Sequence, residues 1–262
     1  MLDIGGETLV LTHDAMLEGT HFLPGQDPAD LAWKLVATNL SDLAAKGAEP
    51  LGVLLSYQLG ADDARFAEGL GAALAHYKVP LLGGDTVAGS GPQALGLTAL
   101  GRATCRPVPG RNGAAAGDGL WLTGPVGGAM LGLEALRGGA GDPTPYTRPV
   151  ALLAEGRALA PQVSAMMDVS DGLLLDAARM ARASGVTFAI AADAVPLACP
   201  ESRRAEALRW GEDYQLLFTL AEGATPAVPA TRIGKALPAG VSPIVLDGQA
   251  LSEADGLGYQ HG

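Results

Sequence analysis

The 262-residue chain has few cysteines and little positive charge. Its two cysteines, Cys105 and Cys199, lie far apart and form no Cys-x-x-Cys or Cys/His pattern, which excludes a disulfide framework and a zinc site. There are 17 Lys and Arg against 28 Asp and Glu, a net charge of -11, which disfavours direct binding to nucleic acid or to an anionic membrane. If the protein handles phosphates, metal ions must carry much of the positive charge.

Long apolar runs and a leader-like N-terminus are also missing. No uninterrupted apolar stretch approaches the roughly 18 residues of a membrane span. The first ten residues, MLDIGGETLV, have no basic region followed by an apolar core, so they resemble neither a signal peptide nor a transit sequence. We therefore expect a cytoplasmic protein with no membrane partner.

Predicted strands and helices alternate along the chain. Residues 7–13 read as a strand that ends in a loop at Asp14, and residues 27–46 read as a helix with Asp27 as its N-cap and Pro28 at its first position. The segment Gly83-Gly84-Asp85-Thr86 follows a short predicted strand, as a turn would. Sheets covered by helices are implied, so the fold class is α/β or α+β.

Chain length and one loop together predict two domains. A domain usually has about 100 to 200 residues, and residues 108–113 form a Pro/Gly-rich stretch near the middle of the chain. We therefore expect an N-terminal domain over residues 1–107 and a C-terminal domain over residues 108–262. Strands at residues 165–168 and 186–190 are expected in the second domain.

Five aspartates lie at or near the ends of apolar elements. They are Asp14, Asp42, Asp85, Asp168 and Asp171. Carboxylates gathered where loops converge suit a hard divalent cation, since Mg²⁺ takes oxygen ligands and keeps several waters. The group as a whole therefore indicates a metal site.

Most of these aspartates, taken singly, have a plainer interpretation. Ser170 or Asp171 can cap a helix, and Gly84-Asp85-Thr86 can form a tight turn. Asp14 can equally be a turn residue. For the first two motifs the structural role is the favoured interpretation when each is taken alone.

Asp42 is harder to explain as a structural residue. It shares a helix face with Leu31 and Leu35, where an unpaired carboxylate is costly. We therefore expect Asp42 to contact a partner or a metal.

Motifs for nucleophilic catalysis and for the common nucleotide-binding folds are absent. The chain has no Gly-x-Ser-x-Gly elbow and no Walker A pattern, and residues 124–128 lack the full Rossmann glycine spacing. Arg111, in the Pro/Gly-rich stretch, is either a phosphate clamp or a solvated residue, and the sequence leaves that open.

Five segments follow one another along the chain in a recognisable order. They are Thr12-His13-Asp14 with Glu18-Gly19-Thr20-His21-Phe22, Asn39-Leu40-Ser41-Asp42-Leu43-Ala44-Ala45-Lys46-Gly47-Ala48, Gly83-Gly84-Asp85-Thr86, Asp168-Val169-Ser170-Asp171-Gly172-Leu173, and Gly211-Glu212-Asp213-Tyr214-Gln215-Leu216-Leu217-Phe218-Thr219. Together, in this order, they resemble thiamine-monophosphate kinase. The resemblance runs from residue 7 to the C-terminal Gly258-Tyr259-Gln260-His261. Gly-Asp-Thr and Asp-x-Ser-Asp-Gly recur in the wider superfamily of aminoimidazole-ribonucleotide synthetase and selenophosphate synthetase.

The resemblance implies a fold, an assembly and an activity. It implies two α/β domains with the active site between them, and a homodimer formed by the N-terminal domain. It also implies ATP-dependent phosphorylation of thiamine monophosphate to thiamine diphosphate, with several Mg²⁺ ions. The absence of a Ser/His/Asp triad is no objection, because in-line phosphoryl transfer needs positioning and charge neutralisation more than covalent catalysis.

By motif position, the resemblance implies three sets of site residues. The Mg²⁺ ligands are Thr12, His13, Asp14, Asp42, Asp85, Asp168 and Asp171, of which Asp42, Asp85 and Asp171 are expected to act in catalysis. The residues expected to contact ATP are Gly84, Asp85, Arg111 and Ser170. The residues expected to hold thiamine monophosphate are His21, Glu212 and Tyr259, the last available for stacking on a thiamine ring.

The chain departs from the family pattern at both ends. The family carries a Gly-Asp-Asp segment shortly upstream of the Thr-x-Asp strand, and the chain begins after that point. Asp3 is too close to Asp14 to replace it. A misassigned start, a truncated chain and a degenerate homologue are the three explanations, and the intact downstream motifs favour the first two. At the other end, Gly262 stands where the family has Phe.

Two other functions stay open at this stage. One is a truncated or non-catalytic binder of thiamine phosphate or nucleotide. The other is a further synthetase of the superfamily, although selenophosphate synthetase would need an N-terminal Cys or selenocysteine that the chain lacks. The segment Glu212-Asp213-Tyr214 favours the thiamine enzyme.

Overall fold

The computed structural model describes residues 1–259, apart from the side chain of Glu253, and contains two β-sheets covered by helices. The first sheet has the order β1-β2-β5-β3-β4, with β1 (Leu2–Ile4), β2 (Glu7–Leu17), β3 (Ala48–Gln58), β4 (Leu81–Val87) and β5 (Ala94–Ala103). The second has the order β12-β11-β8-β10-β6-β9-β7, with β6 (Gly119–Leu122), β7 (Ala165–Asp168), β8 (Val186–Ile190), β9 (Leu216–Leu220), β10 (Thr231–Pro238), β11 (Ile244–Leu246) and β12 (Gln249–Leu251).

The helices accompany these sheets. They are α1 (Pro28–Ala44), α2 (Asp63–Tyr77), α3 (Gly128–Leu136), α4 (Thr144–Thr147), α5 (Leu153–Leu159), α6 (Leu173–Ser184) and α7 (Arg204–Ala207). In the described part of the chain, no helix combines the length and the hydropathy that crossing a bilayer requires.

Helix α1 begins where the sequence predicts. The Asp27 carboxylate accepts a hydrogen bond from the backbone N–H of Ala29 at 2.9 Å, and Pro28 occupies the first turn. The helix ends at Ala44, two residues before the predicted end. The N-cap therefore predicted the start of α1 correctly, and the apolar spacing predicted its end to within two residues.

The predicted loop after His13 is wrong. Strand β2 continues to Leu17 because β5 pairs with it without interruption from Leu9 to Leu17. Side chains alternate between the two faces of a strand, so Thr12 and Asp14 point to the helix-covered face and His13 points to the opposite one. This alternation decides which predicted ligands can meet.

The predicted turn at Gly83-Gly84-Asp85-Thr86 is also wrong. These residues belong to β4, an edge strand that pairs in parallel with β3. A Cβ on Gly84 would lie 2.1 Å from the backbone oxygen of Leu55 on β3, so glycine is needed for this close approach.

In the C-terminal half, β7 and β8 coincide with the predicted strands at residues 165–168 and 186–190. Strands β10, β11 and β12 were not predicted from the sequence. They are short or interrupted by Gly and Pro, and β11 and β12 have only three residues each.

Helix α1 lies between the two sheets. The core that surrounds it combines Leu35 and Leu40 of α1 with Val53 and Leu97 of the first sheet and with Phe218 of the second. All five side chains are buried. Because this core joins both sheets, the positions of polar groups on α1 determine what faces the space between them.

Candidate active site

A cavity of about 560 Å³ opens between the two sheets. It is lined by residues of β2, α1, the turn after β7, the segment before β9 and the C-terminal end of the described chain. Eight of the site residues predicted from the sequence line it: Asp14, His21, Asp42, Asp168, Ser170, Asp171, Glu212 and Tyr259. Segments far apart in sequence therefore converge on one site.

Helix α1 positions the carboxylates at one end of the cavity. The Asn39 side-chain oxygen accepts a hydrogen bond of 3.0 Å from the backbone N–H of Asp14. The Ser41 hydroxyl donates to the carboxylate of Asp168 at 2.6 Å, and the Thr12 hydroxyl donates to Asp42. Asp42 therefore has the partner that its place on the apolar face of α1 predicts.

Burial and crowding raise the pKa values of two of these carboxylates, Asp14 and Asp168. Burial, followed by repulsion from Asp42, raises the pKa of Asp14 to about 6. The same two causes, in the same order, raise the pKa of Asp168 to about 7. A cation placed among these groups would lower both pKa values. The end of the cavity formed by Asp14, Asp42, Asp168 and Asp171 is called the carboxylate end.

The turn that carries Ser170 and Asp171 is held by Asp176, whose side chain is fully buried. One Asp176 oxygen accepts hydrogen bonds from the backbone N–H groups of Ser170 at 3.0 Å and Asp171 at 2.9 Å. Arg179 bridges the two aspartates, at 2.5 Å from Asp171 and 2.9 Å from Asp176. The buried carboxylate thus fixes the direction in which Asp171 enters the cavity.

Among the residues that the structure describes, no three His, Cys, Asp or Glu side chains form a group that could hold a metal ion. Protein donors engage three of the four carboxylates at this end, namely Asp42, Asp168 and Asp171. The donor set nevertheless consists of carboxylate oxygens, which are the ligands that Mg²⁺ prefers, and Mg²⁺ needs only one or two of them because it keeps several waters. The chemistry of this end therefore fits Mg²⁺.

The other end of the cavity is built around a buried lysine. Lys34 is 1% exposed, and its ammonium lies 2.7 Å from a carboxylate oxygen of Glu212 and 3.2 Å from the carbonyl oxygen of His21. It also lies 3.6 Å from the centre of the Tyr146 ring, whose hydroxyl donates to the same carbonyl at 3.0 Å. We call Lys34, Glu212, Tyr146 and His21 the lysine end.

Burial lowers the pKa of Lys34, and the adjacent Glu212 opposes that change. The ammonium contacts the Oε1 atom of Glu212. The Glu212 side chain is 26% exposed and lines the cavity. It therefore presents a carboxylate to a ligand while Lys34 neutralises it from behind.

The segment that carries Glu212 has an unusual backbone. Glu212 has φ +66° and Tyr214 has φ +50°, in the left-handed region that residues other than glycine seldom adopt. Two hydrogen bonds hold them, from the N–H of Glu212 to the carbonyl of Ser170 at 2.8 Å and from the N–H of Tyr214 to the carbonyl of Val169 at 2.9 Å. Such strain persists only where the surroundings enforce it, and it clusters at functional sites.

Tyr259 enters the cavity from the C-terminal end. Its backbone N–H donates to the carbonyl of Asp171 at 2.9 Å, and its side chain is 47% exposed. The rest of the predicted C-terminal motif, Gln260 and His261, lies outside the described residues, as does Gly262.

Five predicted site residues do not line the cavity. Thr12 lies on the helix-covered face of β2 and donates to Asp42. His13 and Asp85 lie on the face of the first sheet that is turned away from it, where His13 hydrogen-bonds to Thr98. Gly84 lies beside Asp85 on β4. Arg111 is exposed, and its charge adds to burial in lowering the pKa of Lys46.

Residues to which the sequence analysis assigned no role complete the site. Asp176, Lys34, Tyr146 and Tyr214 were given no role from the sequence. Two of them carried a signal, because Asp176 and Lys34 are charged residues on apolar faces of helices, where a buried charge requires a partner. The partners come from distant segments, so the sequence did not reveal them.

Comparisons with known proteins identify the family of the chain. The model of the AIR synthase related protein N-terminal domain matches residues 1–103, and the model of its C-terminal domain matches residues 115–238. Thiamine-monophosphate kinase of Salmonella typhimurium is 37% identical over 236 residues, which cover 82% of this chain and 72% of the relative. The chain belongs to the thiamine-monophosphate kinase family.

Solved structures of this family superpose on the chain. A complex of AaThiL with AMPPCP and TMP has a TM-score of 0.86 at 30% identity, covering 95% of this chain and 87% of that one. Thiamine-monophosphate kinase from Stenotrophomonas maltophilia also has a TM-score of 0.86, at 32% identity over 94% of this chain and 87% of the other. The predicted two-domain α+β fold is therefore confirmed.

Replacement of Asp176 by Asn tests the support of the Asp171 turn. The substitution removes the charge that pairs with Arg179 and weakens a buried acceptor of two N–H groups. We expect the free energy of unfolding to fall by roughly 1–3 kcal/mol, measured by urea denaturation at neutral pH. Asp193→Asn, at an exposed aspartate, is the matched control and should change it by less than about 0.5 kcal/mol. Equal effects would argue against the supporting role.

Proposed function

We propose that this chain transfers the γ-phosphoryl group of ATP to thiamine monophosphate, forming thiamine diphosphate and ADP. The observation that carries the proposal is the polarised cavity, with four carboxylates at one end and the Lys34–Glu212 pair at the other, in a chain of this family. AaThiL, a structural relative, was solved with AMPPCP and TMP. We also propose that the enzyme is cytoplasmic.

The charges of the site suit two anionic substrates only if cations accompany them. We propose that Asp14, Asp42, Asp168 and Asp171 hold Mg²⁺, which when bound would neutralise phosphate charge. Thr12 then positions Asp42, and Ser41 positions Asp168, through the hydrogen bonds described above. Metal or ATP contacts for His13, Gly84, Asp85, Arg111 and Ser170 stay predictions.

The reaction places small demands on the protein's own acid–base chemistry. The nucleophile is an oxygen of the acceptor phosphate, which is ionised at neutral pH, so no strong general base is required. What the chain supplies is orientation. Helix α1 fixes the carboxylate end against β2 and β7, and the strained segment from Glu212 to Tyr214 fixes the lysine end.

We propose that the lysine end receives the thiamine part of the substrate. Thiamine carries a positive thiazolium ring and an aminopyrimidine, and Glu212 offers a carboxylate to either group. Tyr259, 47% exposed at the cavity, is placed to stack on one of the rings. His21 keeps its position through the two donors on its carbonyl, Lys34 and Tyr146.

We propose that the chain forms a homodimer through the outer face of the first sheet. The strands of this sheet leave large apolar side chains exposed: Leu2, Ile4, Leu11, Leu17, Leu54, Leu81, Leu82 and Val87. Contiguous exposed apolar surface of this kind marks an interface. The occupant that fits is a second copy, because the same face on each copy is self-complementary in a two-fold dimer.

The activity itself is tested by measuring thiamine diphosphate formed from thiamine monophosphate, ATP and Mg²⁺. We expect turnover by the unaltered chain and a loss of about 100-fold or more in Asp42→Asn, because the carboxylate that would hold the cation is neutralised. Asp142→Asn, at an exposed residue away from the cavity, should retain activity. Binding without turnover would instead favour a non-catalytic binder.

Lys34→Met tests the thiamine end. Methionine has a similar volume but removes the ammonium that holds the Glu212 carboxylate and the His21 carbonyl in position, so we expect the KM for thiamine monophosphate to rise by about tenfold or more. The KM for ATP should change by less than about threefold. Steady-state kinetics with each substrate varied in turn measure both, and a selective rise in the KM for ATP would contradict the assignment.

Mg²⁺ should raise the thermal stability more at neutral pH than at acidic pH. Because the pKa values of Asp14 (about 6) and Asp168 (about 7) lie above the ordinary 3.8, these groups stabilise the metal-free fold at low pH. That stabilisation is lost as the pH rises from about 4 to about 7. We therefore expect Mg²⁺ to raise the Tm by roughly 5 °C at about pH 7.5 and by little at about pH 5.

Differential scanning fluorimetry measures these Tm shifts. Asp14→Asn should reduce the shift at the higher pH because it removes one of the two groups. NaCl at equal ionic strength is the control, and an equal shift with NaCl would show that simple screening is responsible.

Leu54→Glu tests the dimer. A charge in the middle of the outer face should convert the dimer to a monomer, as measured by light scattering coupled to size-exclusion chromatography. Val241→Glu makes the same change at an exposed residue between β10 and β11 and should leave the dimer intact. An unaltered chain that is monomeric at micromolar concentration would overturn the dimer proposal.

A further inference from the structure

Tyr214 is a buried residue of the cavity with a polar group that the protein does not use. It is 8% exposed and lines the cavity. Its backbone is pinned to Val169 in the left-handed conformation. No described residue forms a hydrogen bond with its hydroxyl, whereas the hydroxyl of Tyr146 in the same cavity donates to the carbonyl of His21. Because Tyr214 lines the cavity, its hydroxyl is available to hydrogen-bond to a molecule bound there.

The surroundings of Tyr214 indicate where that ligand group lies. The charges that act on its hydroxyl belong to Glu212 at the lysine end and to Asp14, Asp168 and Asp171 at the carboxylate end. Tyr214 lies near both ends, because Glu212 is two residues away and its own N–H donates to Val169, the neighbour of Asp168. A neutral phenol is a hydrogen-bond donor at neutral pH, and its acidic neighbours, when ionised, can only accept.

We propose that the Tyr214 hydroxyl donates a hydrogen bond to the phosphate of the phosphomonoester substrate, the group that accepts the transferred phosphoryl. This assignment rests on the proposed function. A phosphomonoester whose organic part reaches Glu212 and whose phosphate approaches the carboxylate end would share the cavity with the Tyr214 hydroxyl. The hydroxyl adds a donor for the phosphate without adding a charge that would repel the cations.

The chemistry of the segment is consistent with this role. Glu212 and Tyr214 lie two positions apart, and the N–H of each donates to the Val169–Ser170 backbone. One segment can therefore read both parts of the substrate, with Glu212 contacting the organic cation and Tyr214 contacting the anion. The Tyr214 hydroxyl would then contribute to telling thiamine monophosphate from unphosphorylated thiamine.

Tyr214→Phe removes only that oxygen. Isothermal titration calorimetry in Mg²⁺ would measure the Kd of thiamine monophosphate, of thiamine and of AMPPCP for the unaltered chain and the variant. We expect the Kd of thiamine monophosphate to rise by roughly 10- to 100-fold, and the other two to change by less than about twofold. Tyr146→Phe is the matched control, because its hydroxyl supports His21 and its loss should affect thiamine monophosphate and thiamine alike.

Each other pattern overturns the inference. Equal weakening of thiamine and thiamine monophosphate would make Tyr214 a structural residue, and selective weakening of AMPPCP would assign it to the nucleotide. No change in any Kd would show that the hydroxyl contacts no ligand. An unaltered chain that binds thiamine monophosphate without phosphorylating it would overturn the proposed function alone, and failure to bind it would overturn both.

A spectroscopic measurement on the unaltered chain complements the variant. The chain has five tyrosines, so ¹³Cζ-tyrosine labelling yields a short list of resonances. Thiamine monophosphate, but not thiamine, should shift the resonance that is missing in Tyr214→Phe. A shift of equal size with thiamine would exclude a contact with the phosphate.

Discussion

Helix α1 packs between two sheets and hydrogen-bonds to both, and this placement sets the geometry of the cavity. Asn39 holds β2 at Asp14, while Ser41 holds β7 at Asp168. One turn earlier, Lys34 reaches Glu212 ahead of β9. A single rigid helix therefore determines the separation between the carboxylate end and the lysine end, and the apolar residues between these contacts keep the helix buried.

Electrostatics is the second constraint. The proposed binding of two anionic substrates by an acidic chain requires cations, and the burial and crowding that raise the pKa values of Asp14 and Asp168 would favour a cation beside them. The chain has only four lysines. Lys34 neutralises Glu212 inside the site, and Asp176 is neutralised by Arg179 in the same way behind Asp171. Lys34 and Asp176 thus each have a counter-charge.

Much of the local structure could be predicted because its causes are local. The N-cap at Asp27 and the apolar spacing of α1 are contained within one segment, and β7 and β8 are short apolar runs bounded by polar residues. The strand endings at Asp14 and at Gly83–Thr86 were predicted wrongly because pairing with β5 and β3 extends both strands beyond the point where their own composition favours a turn.

The sequence by itself determined the family, the two-domain α+β fold and the identity of the acidic motifs, since these depend on residue types in order along the chain. Only the tertiary structure decided which of those residues share a cavity. It brings Asp14, Asp42, Asp168 and Asp171 together and turns His13 and Asp85 to the other face, because strand alternation and sheet pairing act between segments. It also revealed Lys34, Asp176 and Tyr214. Lys34 pairs with a residue that is distant in the sequence, and Tyr214 has a backbone conformation that no local pattern signals. Asp176 supports a turn that folds back onto its own helix.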